Sequence, residues 1–78
     1  MDKIQIRSLL IDLVNFIIPI EKISNNDDLF DFGLDSLDCV KLIASLQKNY
    51  GIIIPVELID LDSFSSVNNI YNLICKVS

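Results

Sequence analysis

The sequence predicts an all-α fold, a small four-helix bundle with three main helices and one short helix. The chain has 78 residues, of which 51% are apolar, and most of its apolar residues recur at the three- and four-residue spacing of a helix face. The most strand-like run, residues 52–55, has no partner strand and ends in a proline. A chain of this length and composition forms one ordered domain, which we expect to span residues 1–78.

The first predicted element is a helix over residues 3–17, followed by a long connection. The helical spacing is carried by Ile6, Leu10, Leu13, Val14 and Ile17. Pro19 is expected to mark the end of this helix, because the residue before a proline is disfavoured in the helical region. Residues 18–35 are rich in Asn, Asp and Ser, and a connection of this length indicates a functional loop. Four apolar side chains are expected to hold the loop on the core: Leu29, Phe30, Phe32 and Leu34.

The second half of the chain contains the clearest helix, over residues 36–50. Gly51 follows it in the position typical of a C-terminal glycine. Residues 52–55 are predicted to be an apolar connector, and residues 56–61 a short helical turn. The last predicted helix covers residues 66–77 and is capped by Ser65 or Ser66. Its apolar stripe consists of Val67, Ile70, Tyr71, Ile74 and Val77.

Composition excludes several classes of function. The chain has no histidine, which removes the usual general base, the commonest nitrogen ligand of metals and any Ser-His-Asp arrangement. We therefore expect no catalytic residue and no metal site. Cys39 and Cys75 lack a metal-ligand spacing, and both are expected to be buried small hydrophobes. The net charge of −5 argues against a nucleic-acid partner.

Location is also indicated by the sequence. The longest apolar runs fall far short of the roughly 20 residues that a membrane-spanning helix needs. The first residues lack the basic region and continuous apolar stretch of a secretory signal. We expect a cytoplasmic protein without a membrane span.

Ser36 lies between a glycine-bearing loop and the helix over residues 36–50, and it has three possible roles. The first is a structural N-cap. The second is a nucleophile, since residues 33–37 are similar to the Gly-Asp-Ser-Leu motif of some lipases and esterases; the lack of a histidine base and the short chain argue against it. The third is attachment of a phosphodiester-linked group, whose negative charge the start of a helix favours.

Two surfaces near Ser36 are candidates for partner contact. Five carboxylates lie within twelve residues that contain no Lys or Arg, and they form either a solvated loop or a docking surface: Asp27, Asp28, Asp31, Asp35 and Asp38. The helix over residues 36–50 also has two apolar faces. One is the core stripe of Cys39, Leu42, Ile43, Leu46 and Tyr50. The opposite face contains Leu37, Val40 and Ala44, with Lys41 and Lys48 among them, and we expect it to contact partners.

The run Leu29-Phe30-Asp31-Phe32-Gly33-Leu34-Asp35-Ser36-Leu37-Asp38 resembles the attachment segment of acyl carrier proteins. The exit Tyr50-Gly51-Ile52-Ile53-Ile54-Pro55 fits the same family, and the resemblance covers the whole chain. It implies that a phosphopantetheinyl transferase places 4′-phosphopantetheine from coenzyme A on Ser36. The thiol of that arm then holds acyl groups as thioesters, so the protein is a tether and not an enzyme.

The resemblance also implies roles for the neighbours of Ser36. Asp35 would orient the serine and help the metal site of the transferase. The expected partner contacts are Leu37, Asp38, Val40, Lys41, Ala44 and Lys48. Carriers of bacterial fatty-acid synthesis usually have glutamates along this helix, where the present chain has Lys41, Gln47 and Lys48. Its partners should therefore carry a different charge pattern.

The expected function is an acyl carrier of a dedicated pathway, either secondary-metabolite or specialised-lipid. An acyl- or aminoacyl-loading ligase would charge it, and downstream synthases or transferases would receive its cargo from a monomeric shuttle. Residues 55–67 are also similar to those of D-alanyl carrier proteins, so an aminoacyl, D-alanyl or peptidyl carrier is the alternative. A third possibility is an unmodified carrier-like scaffold or interaction subunit, which would keep its function as Ser36→Ala.

Overall fold

The computed structural model describes residues 1–77, which form three α-helices joined by 3-10 turns. The helices are α1 (Lys3–Leu13), α2 (Ser36–Tyr50) and α3 (Val67–Val77). The turns are Ile20–Lys22, Leu29–Phe32, Val56–Leu58 and Asp62–Phe64. Within residues 1–77 there is no strand, and no helix that is long and apolar enough to cross a membrane.

The all-α prediction is confirmed, but the fourth helix of the predicted bundle is not. In the region predicted to be a short helical turn, only Val56–Leu58 is helical, and it is a single 3-10 turn. It follows Pro55, and the chain returns to extended backbone at Ile59. Three residues between these boundaries are too few for an α-helical hydrogen-bond ladder.

The core lies where the three helices meet, with α1 packed against both α2 and α3. Two of the four predicted loop anchors, Leu29 and Leu34, are buried, and the other two, Phe30 and Phe32, pack half-buried against the core. The largest fully buried side chains are Phe64, Ile6, Leu10, Ile23, Leu29, Leu42, Leu46, Ile70, Ile74 and Val67. The long connection therefore supplies part of the core, although it is not an α-helix.

α1 ends at Leu13, four residues earlier than predicted. Val14 is extended (φ −117°, ψ 136°), and the N–H of Ile17 donates to the carbonyl of Phe32 at 2.9 Å. A contact with a distant segment thus replaces the helical hydrogen bond that the local pattern predicted. The Ile17 side chain is 72% exposed. Pro19 lies beyond the break and does not end the helix.

The boundaries of α2 match the prediction, and those of α3 match it within one residue. Gly51 ends α2 in the left-handed conformation (φ 66°), and its N–H donates to the carbonyl of Leu46. Ser66 caps α3, since its hydroxyl accepts the backbone N–H of Asn69 at 3.1 Å. The sequence predicted Ser65 or Ser66 as the N-cap, and the structure identifies Ser66.

The prediction that both cysteines are buried is right for Cys39 and wrong for Cys75. Cys39 lies on the core face of α2 and is 6% exposed, whereas Cys75 is exposed near the end of α3. The core side of that part of α3 is filled by Leu73 and Ile74. Cys75 follows Ile74 by one residue, about 100° around the helix, and therefore faces outward.

Candidate functional site

Ser36 is the first residue of α2, and its side chain is exposed. The loop before it is fixed on both sides. Gly33 is left-handed (φ 114°, ψ 0°), and a Cβ at this position would lie 3.3 Å from the carbonyl oxygen of Asn15. Leu34 is buried, and its N–H donates to the carbonyl of Leu29 at 3.1 Å. The fold therefore presents Ser36 from a constrained loop.

The N-cap of α2 is Asp35 and not Ser36. An Asp35 carboxylate oxygen accepts the N–H of Asp38 at 2.8 Å, and an Asp38 carboxylate oxygen accepts the N–H of Asp35 at 3.1 Å. This reciprocal pair is a capping box. The interpretation of Ser36 as an N-cap is therefore wrong. Its hydroxyl makes no hydrogen bond with any other part of residues 1–77.

The start of α2 also offers backbone donors to an anion. The first N–H groups of an α-helix have no intrahelical acceptor. Asp35 satisfies the N–H of Asp38, but those of Ser36 and Leu37 have no acceptor among the described residues. Together with the helix dipole, two free N–H groups beside an exposed hydroxyl suit a phosphate ester at that hydroxyl.

Most of the acidic cluster shapes the loop. Four of the five carboxylates accept backbone N–H groups two or three residues away, namely those of Asp27, Asp28, Asp35 and Asp38. The fifth, Asp31, is exposed, and its carboxylate has no hydrogen bond or ion pair within residues 1–77. The cluster is thus mainly a set of turn and helix caps, which accounts for its density without a docking role.

The outer face of α2 is exposed as expected. We call Leu37, Val40, Lys41, Ala44 and Lys48 the outer face; at 100° per residue they fall within an arc of about 100°. Leu37 and Val40 are 62% and 60% exposed, and the other three side chains are also exposed. Large apolar side chains this accessible contribute little to the core, so the face is available to a partner.

Asp38, the sixth residue expected to contact partners, does not belong to this face. It is 8% exposed and points about 100° away from Leu37 around the helix. Its carboxylate accepts the Asp35 N–H and lies 3.7 Å from the ammonium of Lys41. The spacing Asp-x-x-Asp before an apolar helix is the signal that could have indicated this capping role.

Sequence reasoning also missed Arg7, which holds the long connection in place. One guanidinium nitrogen of Arg7 donates to the side-chain oxygen of Asn25 at 3.0 Å, and another donates to the carbonyl of Ile20. The backbone of Asn25 in turn accepts the N–H of Asn68, at the start of α3. A cation among apolar residues within α1 was the only signal in the sequence, because the partners of Arg7 are distant in the chain.

Cys39 lies one turn after Ser36, but it is not a reactive neighbour. Burial, together with the nearby carboxylates of Asp38 and Asp35, raises the pKa of the Cys39 thiol above its ordinary value. The thiolate is the nucleophilic form. The buried Cys39 thiol is therefore a poor nucleophile.

Three comparisons with known proteins agree with this geometry. A family model described as "Phosphopantetheine attachment site" matches residues 5–74. A D-alanyl carrier protein of Bacillus velezensis is 27% identical over 71 residues, which cover 87% of the present chain and 91% of that protein. The third is a chain of the crystal structure of an engineered Bradyrhizobium japonicum glycine:[carrier protein] ligase, complexed with a carrier protein from Agrobacterium tumefaciens and ATP. Its TM-score is 0.87 at 25% identity, covering 96% of the present chain and 97% of that chain.

Proposed function

The chain belongs to the phosphopantetheine attachment site family, and from that premise we propose that it is an aminoacyl carrier protein modified on Ser36. It is a carrier and not an enzyme, and its cofactor is covalently attached 4′-phosphopantetheine. When bound, this group supplies a flexible arm that ends in a thiol, to which a cargo is joined as a thioester. A cargo on a tether stays at high effective concentration at whichever partner is docked.

The observation that carries the assignment to Ser36 is its unused hydroxyl at the first position of α2. Because Asp35 caps the helix, the fold does not need the Ser36 side chain. The free N–H groups of Ser36 and Leu37 would hold the phosphate oxygens. Asp35 caps the helix start through its carboxylate, directly before Ser36, and would lie beside the metal site of an approaching transferase.

The cargo we propose is an aminoacyl group. One relative is named as a D-alanyl carrier, and the similar structure contains a glycine-activating ligase beside its carrier protein. Both names concern a small amino acid, which favours the aminoacyl alternative over the secondary-metabolite acyl carrier that the sequence favoured first. The partners would be a phosphopantetheinyl transferase, an amino-acid-activating ligase and a downstream transferase. The carrier itself would be a monomer in the cytoplasm.

The proposal is tested in two steps by intact-protein mass spectrometry. In the first step, the protein is incubated with coenzyme A, Mg²⁺ and a broad-specificity phosphopantetheinyl transferase. The wild type and the control Ser8→Ala, an exposed serine of α1, should each gain one phosphopantetheine, and Ser36→Ala none. An unmodified wild type, tested also with a transferase from the same source, would favour the scaffold interpretation.

In the second step, the modified protein is incubated with ATP and, in separate reactions, with a ligase that activates D-alanine, glycine or a medium-chain fatty acid, together with that substrate. We expect a mass increase of one aminoacyl group with D-alanine or glycine. Loading by the fatty-acid ligase alone would reject the aminoacyl cargo and restore the acyl carrier, while leaving the carrier function intact.

A further inference from the structure

The outer face of α2 carries a charge opposite to that of the whole chain. The net charge is −5, yet the outer face contains two lysines and no carboxylate. The carboxylate of Asp38 is nearest, but it is buried and outside the arc. It lies 3.7 Å from the Lys41 ammonium, and because the lysine side chain is half exposed, solvent screens the attraction in part. Lys48 forms no ion pair with any of residues 1–77.

The charges are ordered along the helix. With a rise of 1.5 Å per residue, Lys41 lies about 8 Å and Lys48 about 18 Å from Ser36 along the axis of α2. Asp31, an exposed carboxylate, precedes Ser36 in the chain and belongs to the loop before α2. The exposed apolar side chains Leu37 and Val40 lie between the serine and the lysines. The outer face is therefore apolar nearest Ser36 and basic farther along α2.

We propose that the partner docked on the outer face presents an apolar pocket for Leu37 and Val40, flanked by carboxylates that meet Lys41 and Lys48. This inference rests on the proposed function and names its loading ligase as that partner. The arm is attached at Ser36, so Ser36 would lie at the entrance of the ligase active site in the docked complex. The carboxylates that meet the two lysines would then lie about 8–18 Å from that entrance, measured along the axis of α2. Complementary charge at this distance sets the orientation and rate of docking, while the apolar part of the face supplies contact area.

An anionic membrane is the other surface that a basic and apolar helix face could meet. Recognition of acidic lipids usually needs a cluster of roughly four to eight basic residues, whereas the outer face has two. The charge of −5 on the whole chain would also repel such a membrane. These features favour a protein partner, and a vesicle co-sedimentation assay tests whether the outer face binds a membrane instead.

The test reverses the two charges and compares the result with a matched control. The variant is Lys41→Glu/Lys48→Glu; the control is Lys22→Glu/Lys76→Glu, which changes the net charge equally and also removes a lysine from the last turn of a helix. Both are modified with phosphopantetheine first, and unfolding is measured for each. With the ligase that loads the wild type, the variant should show a KM at least about tenfold higher at low salt. Its kcat should be unchanged, and the control should stay within about twofold of the wild type.

Other outcomes overturn the inference without touching the proposed function. An unchanged KM would show that the lysines do not face the ligase, and a lower KM would show a basic partner. Co-sedimentation of the wild type, but not of the variant, with phosphatidylserine vesicles would replace the ligase with a membrane. Failure of the wild type to be modified or loaded would instead reject the proposed function.

A second measurement tests the surface chemistry without any ligase. Two synthetic amphipathic peptides share one leucine stripe, flanked by Glu in one peptide and by Lys in the other. In NMR titrations of the ¹⁵N-labelled protein, the Glu peptide should shift amides of residues 37–48 and the Lys peptide should not. Equal binding, preference for the Lys peptide, or no binding of either would each overturn the inference.

Discussion

Asp35→Ala is expected to destabilise the protein by about 1–2 kcal/mol, whereas Ser36→Ala should change its stability by less than about 0.5 kcal/mol. Asp35→Ala removes the acceptor of the 2.8 Å hydrogen bond from the Asp38 N–H, and an N-cap of this kind is worth about 0.5–2 kcal/mol. It also removes a negative charge from the start of α2, worth about 0.3–1 kcal/mol. Ser36→Ala removes a hydroxyl without a partner in residues 1–77, and alanine is the better helix former.

Urea unfolding of the unmodified proteins measures the difference. Asp35→Asn is the matched control, because asparagine caps a helix about as well as aspartate; it should lose only the charge contribution. In thermal unfolding, 1 kcal/mol corresponds to about 4–8 °C for a domain of this size, so the variants are separable. If Ser36→Ala costs as much as Asp35→Ala, the serine supports the helix start after all. Its hydroxyl would then not be free, and the observation on which the modification site depends would fail.

Three further predictions concern a surface, two thiols and two glycines. Val40→Asp should leave the urea midpoint nearly unchanged, because the side chain is exposed, but should raise the KM of loading; a large loss of stability would place Val40 in the core. In the native protein, Cys75 should react with a thiol reagent at once and Cys39 only on unfolding. Burial raises the pKa of the Cys39 thiol in the folded state. The contribution of this group to the free energy of unfolding should therefore be full below the ordinary thiol pKa and be lost as pH rises above it. A Cys39→Ala variant should not show this pH-dependent loss. Gly51→Ala should cost about 1 kcal/mol of unfolding free energy, and Gly33→Ala more, because φ is 114° and a backbone oxygen lies 3.3 Å from the new Cβ; equal losses would contradict the steric part.

The helices that the sequence predicts well are those whose boundaries are set locally. α2 has an apolar stripe along its length, a capping aspartate directly before it and Gly51 directly after it, so both boundary signals are local. α1 was predicted too long because apolar residues continue at helical spacing through Ile17. Beyond its actual end, the Ile17 N–H instead donates to the carbonyl of Phe32, and no pattern within residues 3–17 contains that distant partner.

At the site, the sequence predicts the neighbourhood better than the roles within it. Asp35 and Ser36 are adjacent, and both residue types are good N-caps, so propensity alone cannot decide which of them begins the helix. The buried position of Asp38 follows from that decision, because its carboxylate turns back to the Asp35 N–H. The outer face was predictable for a simpler reason: a helix in a small bundle can bury only one side.

Because the cap of α2 is Asp35 and not Ser36, the side chains that keep α2 folded are largely different from those that it exposes to solvent. Its stability comes from side chains on the core face, such as Leu42 and Leu46, which are fully buried, and from the capping box before Ser36. The Ser36 hydroxyl contributes to neither, and the outer face touches the capping box only where the Lys41 ammonium lies 3.7 Å from the Asp38 carboxylate. If partners dock on the outer face as proposed, a change of charge at Lys41 or Lys48 would alter which partner docks at little cost in folding free energy, since single exposed charges contribute less than about 1 kcal/mol. On this proposal, partner recognition would be free to vary while the helix that carries it stays in place.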